Sequence, residues 1–166
     1  LFYGLYKRTN SMFANSPLAA NKLPNKDEIE LLGPLTDKVP DEVFSMVYQS
    51  PKTDGSGNNR TNLRKAARLL KSSGWIIVDN QLVNLKTGKP MKIEFLLVSP
   101  AFERVVLPFI HNLKRLGIKG KIRTVDPAQY QNRVRDFDFD IIITTFSQSL
   151  SPGNEQRNYW HSSAAN

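Results

Sequence analysis

Cysteine is missing from all 166 residues, which excludes disulfides and thiolate chemistry. That absence is compatible with an oxidising compartment without demanding one. Histidine is nearly as scarce, with only His111 and His161 in the chain. No second ligand lies near either in sequence, so His111 is read as a partly buried structural residue and no metal or other cofactor is expected. No apolar run approaches the ~18 residues that a membrane-crossing helix needs. Acidic residues fall short of basic ones, 15 against 23, for a formal net charge of +8. Finally, no GxSxG, HExxH, Walker or dinucleotide signature occurs, so no enzyme is expected.

The opening Leu1-Phe-Tyr-Gly-Leu-Tyr-Lys-Arg8 has no initiator Met and no basic and apolar regions of an export signal. The expectation is a fragment of a longer protein. The positive charge is spread over solvated faces. Arg60, Arg64, Lys65, Arg68 and Lys71 decorate one helix, and Lys114, Arg115, Lys119, Lys121 and Arg123 surround a helix end and a strand. Cations near helix carboxyl ends suit the dipole, so a nucleic-acid partner is not expected.

What is present is organised around Pro90 to Gln148. Met91 to Val98 is an apolar, β-branched run, followed by Ser99-Pro100 and a helical stripe of Phe102, Val105, Val106, Phe109, Ile110, Leu113 and Leu116 that stops at Gly117. Pro108 inside that stripe predicts a kink or a late start. Ile118 to Val125 alternates as a strand, Asp126-Pro127 opens a second helix, and Phe139 to Phe146 reads as another buried strand. The fold class is therefore α/β, with a βαβαβ parallel core, because crossovers of this kind are right-handed. Between Asp136 and Asp140, the alternating acids Asp136, Asp138 and Asp140 are read as a solvated helix-to-strand turn rather than an acid pair for catalysis.

Upstream, Thr61 to Gly74 forms an amphipathic helix with Leu63, Ala66, Ala67 and Leu70 on one stripe. Trp75 to Val78 and Gln81 to Leu85, with Asp79-Asn80 between them, form a hairpin. Residues 1–59 read as an irregular and partly helical arm and linker, with short helical pieces at Leu1 to Arg8, Asp27 to Leu35 and Asp41 to Met46. Residues 60–166 then form the α/β lobe. The turn cluster Thr53-Asp-Gly-Ser-Gly-Asn-Asn59 marks the linker and is not a phosphate loop, since no GKS or GKT follows.

These residues resemble a known family. Asn62-Leu-Arg-Lys-Ala-Ala-Arg-Leu-Leu-Lys-Ser-Ser-Gly-Trp75, Gly88-Lys-Pro90, Leu113-Lys-Arg-Leu-Gly-Ile118, Val125-Asp-Pro-Ala-Gln-Tyr130 and Phe139-Asp140 before a strand are similar to the family 5 extracellular solute-binding proteins of ABC importers. Phe102-Glu-Arg-Val105 and Ser151-Pro-Gly-Asn-Glu-Gln156 resemble its Yej-type oligopeptide branch. The resemblance implies a periplasmic-binding-protein-like lobe, part of a two-lobed protein that closes over an oligopeptide ligand and presents it to a membrane ABC permease. It implies the periplasm, with a signal peptide in the full-length protein, and a partnership with the other lobe.

It also points to a ligand site at the carboxyl ends of the strands, where open α/β sheets bind. With the Pro90 strand central, the switch point is expected between Ser99-Pro100 and Ser147-Gln148-Ser149. Candidate ligand-binding residues are Ser99, Phe146, Ser147, Gln148, Ser149 and Glu155. Free N–H groups at the helix start by Pro100 would suit a carboxylate or carbonyl. Many family members carry a Trp and, three residues on, an acid that holds the peptide amine. Here Phe146 and Ser149 take those places, and Glu155 is the possible substitute acid. Tyr159 and Trp160 are expected to pack in the core or between lobes. The alternative is a flavodoxin-like α/β regulatory or nucleotide-binding module. It would want a Gly-rich first βα turn or an acidic phosphoacceptor, and Val98-Ser-Pro-Ala101 offers neither.

Overall fold

The computed structural model describes residues 6, 8–14, 16–147 and 149–165. Helix α1 (Lys26–Leu32) starts where Asn25 and Glu28 satisfy each other's backbone: Asn25 Oδ1 accepts from Glu28 N at 3.0 Å and Glu28 carboxylate accepts from Asn25 N at 2.7 Å. It runs into a 3-10 turn at Gly33–Leu35, and α2 (Glu42–Ser45) is a single turn. These match the short helices expected between Asp27 and Met46; the piece expected at Leu1 to Arg8 falls almost entirely outside the described residues. Two side chains tie the ends of the arm together. Asn10 accepts from Ser50 N at 3.0 Å, and Arg8 donates to Pro51 O at 3.1 Å.

Helix α3 (Arg60–Ser72) ends at Gly74, whose φ of +82° takes the left-handed stop that a glycine supplies without strain. Strands β1 (Trp75–Val78) and β2 (Gln81–Asn84) pair antiparallel through Asp79 and Asn80. Both turn residues have positive φ, the two-residue turn that matches strand twist. The remaining elements are β3 (Lys92–Leu97), a 3-10 turn at Pro100–Phe102, α4 (Glu103–Lys114), β4 (Lys119–Thr124), α5 (Pro127–Arg135), β5 (Ile141–Ile142) and α6 (Asn154–Trp160). The chain divides into two compact units, one of Thr53–Thr145, the other of the arm up to Lys52 with the segment from Phe146.

In the first unit β4, β3 and β5 lie in that order, all parallel, as the sequence predicts. Alternation along β3 assigns the faces. Phe95 and Leu97 point to α4, where they meet Val106 and Leu113 in a buried cluster with Leu82 and Ile118, and Phe95 makes an edge contact with Phe109. Burying a side chain of this size is worth about 1.5–3 kcal/mol. Glu94 and Leu96 point to the other face, where Arg133 of α5 reaches the Glu94 carboxylate at 3.1 Å. Helices α4 and α5 thus cover opposite faces.

Two expectations need correction. The strand expected from Phe139 to Phe146 pairs only at Ile141 and Ile142. The cause lies upstream: Asp138 N closes the end of α5 on Arg133 O, Phe137 turns left-handed at φ +53°, and the Asp140 carboxylate takes the Glu94 N–H at 2.7 Å. Beyond Ile142, the Ile143 carbonyl accepts from the Tyr130 hydroxyl at 3.4 Å. The reading of Asp136, Asp138 and Asp140 as a solvated helix-to-strand turn holds, since all three are exposed, and two of them also bond: Asp138 pairs with Arg133 and Asp140 accepts from Glu94 N. His111, expected to be partly buried, is exposed on α4. The α-helix begins at Glu103, after the 3-10 turn, and runs through Pro108, so that proline does not set its start.

Candidate functional site

The carboxyl ends of β3 and β4 are built by their loops. After Leu97, Ser99 caps the 3-10 turn, its Oγ accepting from Ala101 N at 3.3 Å. Phe102 N bonds Ser99 O, and Glu103 N bonds Pro100 O. Pro100 has no N–H, so the turn satisfies its own donors and the free amides expected there are not on offer. After Thr124, Val125 N bonds Leu97 O at 2.9 Å, and Asp126 caps α5 by accepting from Ala128 N and Gln129 N, each at 3.0 Å. Thr124 Oγ1 donates to Glu103 Oε1 at 3.0 Å across the tips of the two strands. Because α4 and α5 leave to opposite faces, the switch point of this unit lies between β3 and β4 rather than between β3 and β5. Sequence reasoning missed Glu103 and Thr124. Their signal was position alone, one residue at a strand end and one at the start of the helix that follows.

The other candidates fall in the second unit and are described by themselves. Ser147 and Ser149 are exposed, Glu155 is half-buried, and Gln148 lies outside the described residues. Pro152 and Gly153 precede α6, on which Glu155 and Tyr159 stand four residues apart and share a face. The Glu155 Oε1 accepts from Ser149 Oγ at 2.7 Å and from Gly153 N at 3.1 Å. The Ser149 oxygen also stands in short contact with the Ser151 carbonyl. Its one proton goes to the carboxylate, the stronger acceptor. These donors, the Ser149 hydroxyl first and then the Gly153 amide, pull the Glu155 carboxyl down to about 2 from an ordinary 4.5.

An aromatic trio stands on the same segment. Phe146 stacks on Trp160 at 6.1 Å and 20°, and meets Tyr159 edge-on at 5.4 Å and 84°. The Tyr159 hydroxyl donates to Ser147 O at 3.4 Å. With exposures of 48%, 37% and 56% for Phe146, Tyr159 and Trp160, none is a core residue, contrary to core packing of the last two. Chemically, the segment offers a carboxylate held ionised and half-exposed ring faces, a combination that takes a cation and apolar groups. Among the described residues no group of three or more acidic or histidine side chains is placed to hold a metal ion.

A family model described as bacterial extracellular solute-binding proteins, family 5 Middle, matches residues 1–166. The chain belongs to this family. It is 48% identical over 165 residues to the uncharacterized protein y4wM of Sinorhizobium fredii, covering 99% of this chain and 25% of that protein. It is 45% identical over 165 residues to the probable peptide-binding protein YejA of Agrobacterium fabrum, covering 99% of this chain and 27% of that one. This family 5 chain thus spans about a quarter of the length of the curated relatives it matches. Among solved structures it is similar to the oligopeptide-binding protein AppA of Bacillus subtilis in complex with a nonapeptide. The identity there is 25%, the TM-score 0.52, and the match covers 60% of this chain and 20% of AppA. Family membership removes the flavodoxin-like alternative and confirms the Yej-type resemblance.

Proposed function

We propose that the protein is the substrate-binding component of an ABC importer, capturing an oligopeptide in a cleft between two lobes and presenting it to a membrane permease. What carries this reading is the family match along the whole chain, together with a relative named as a probable peptide-binding protein and the likeness to a peptide-loaded AppA. The work is reversible binding without catalysis or cofactor, and it takes place in the periplasm.

Within that reading, Phe146, with Tyr159 and Trp160, forms an apolar and stacking wall. The Glu155 carboxylate, steadied by Ser149, receives the peptide ammonium where other family members use an acid at the Ser149 position. A fixed ionised carboxylate suits this, since charge-assisted hydrogen bonds are roughly twice as strong as neutral ones. Ser99, Ser147 and Gln148 hydrogen-bond the extended backbone of the ligand, the mode in which main-chain groups supply affinity. Residues 1–59 serve as the arm that packs on or between the lobes, and lobe closure removes water from the ligand.

Mass spectrometry of small molecules released from the purified full-length protein tests the ligand class. Peptides in the released fraction, and calorimetric binding of those peptides, are the expected result. Release of oligosaccharides without peptides would overturn the oligopeptide assignment while leaving the family unaffected.

A further inference from the structure

Glu94 and Glu103 are both half-buried acids in a chain of net charge +8, yet their surroundings differ. Glu94 lies in mid-strand and pairs with Lys121, Arg123 and Arg133. Glu103 opens α4 beyond the tip of β3, and among the described residues no cation pairs with it, Arg104 beside it included. Partial burial of a carboxylate costs more when no cation offsets it.

Two local features suit an acid at this place without neutralising it. The start of a helix favours negative charge, and Thr124 Oγ1 donates to Glu103 Oε1 at 3.0 Å. That bond fixes the carboxylate across the tips of β3 and β4 and leaves Oε2 with no partner among the described residues. Asp126, the other acid at these tips, is engaged as the cap of α5, its Oδ1 accepting from Ala128 N and Gln129 N. The tips are also the switch point, where open α/β sheets take their ligands. A half-buried, oriented and unpaired carboxylate at that place has the chemistry to receive a cation.

We propose that Glu103 is a specificity-determining residue whose carboxylate takes a cationic side chain of the bound ligand, with Thr124 as its positioning residue. The inference rests on the reading of the strand tips as part of a peptide site, and it adds a preference to that reading: peptides carrying a lysine-type group over peptides carrying an acid. This cation is distinct from the terminal ammonium of the peptide, which the proposed function gives to Glu155. Lobe closure, part of the same reading, removes water from the new pair and makes it stronger than an exposed ion pair.

Calorimetry of the full-length protein with alanine pentapeptides tests it. The probes carry a single lysine, norleucine or glutamate at each position in turn, and all keep free termini, so any contribution of Glu155 is common to the set. At one position or more, lysine is expected to bind about tenfold or more tightly than glutamate. Glu103→Gln is expected to abolish that ratio while leaving the norleucine peptide within about twofold, which also shows that the variant folds. Thr124→Val, which keeps the charge and loses its orientation, is expected to lower the ratio by about threefold. Three results would each overturn this inference alone: no lysine preference in the wild-type protein, a preference that survives Glu103→Gln, or an equal loss of all three peptides in that variant. Failure of every peptide to bind the wild-type protein would overturn the peptide reading and this inference with it.

Discussion

Ser149 Oγ stands 2.7 Å from Glu155 Oε1, a hydrogen bond between side chains six residues apart that ties the loop before α6 to its first turn. The pair keeps Glu155 ionised far into acid. A folded-state value lowered to about 2 supplies stability above the ordinary 4.5, and that stability drains away as pH falls from there toward 2. Ser149→Ala is expected to raise the Glu155 carboxyl toward 4.5, read from its carbon chemical shift during an acid titration. An unmoved midpoint would assign the depression to the backbone amides, that of Gly153 first.

Gly117 is expected to tolerate no side chain. Its φ is +77°, and a Cβ there would stand 2.7 Å from the backbone N of Leu82, whose N–H already donates to Gly117 O at 2.8 Å. Gly117→Ala should cost about 2 kcal/mol or more, the combination of left-handed strain and overpacking. Gly120→Ala, which meets only the Ile110 side chain, should cost less. Urea unfolding of the two variants checks the order.

Glu94 gathers three cations on the α5 face. Arg123 lies at 3.0 Å, Arg133 at 3.1 Å and Lys121 at 3.5 Å. Arg133 is only 19% exposed, whereas Lys121 is 60% exposed. Glu94→Gln should therefore destabilise by about 1–3 kcal/mol, because it strands partly buried charge. Lys121→Gln should change stability by less than about 0.5 kcal/mol. Thermal melts in low and high salt separate the two.

Removal of the Phe146 ring should be felt by ligand. In the full-length protein Phe146→Ala is expected to weaken peptide binding by about tenfold or more, the effect of losing one half-buried aromatic wall. Phe146→Tyr should retain most of it. Gln148→Ala is expected to weaken binding more mildly, and calorimetry with unchanged affinity would remove that residue from the site.

Much of the fold was legible because period and punctuation agreed. The stripe through Val106 and Leu113, the stops at Gly74 and Gly117, and the cap at Asp126 each state one local structure, and the structure follows them. The strand after Phe139 misled because Ile141 to Ile143 with Thr144 and Thr145 has strand composition, while pairing is decided by partners far away in sequence. Asp140 reaching Glu94 across 46 residues leaves no local trace. The candidate site was less legible still. Its residue types could be named, but the Ser149–Glu155 bond and the stacking of Phe146 on Trp160 depend on where α6 folds back.

The carboxylate that accepts the Glu94 amide has an effect out of proportion to one hydrogen bond. A strand with two rungs has almost nothing of its own to say where along its neighbour it should sit, and a slide by one position would exchange the sides on which Ile141 and Ile142 appear. Asp140 works as an index pin that chooses between those two alignments. Whatever follows Ile142 in the chain inherits its starting orientation from a side chain rather than from the ladder.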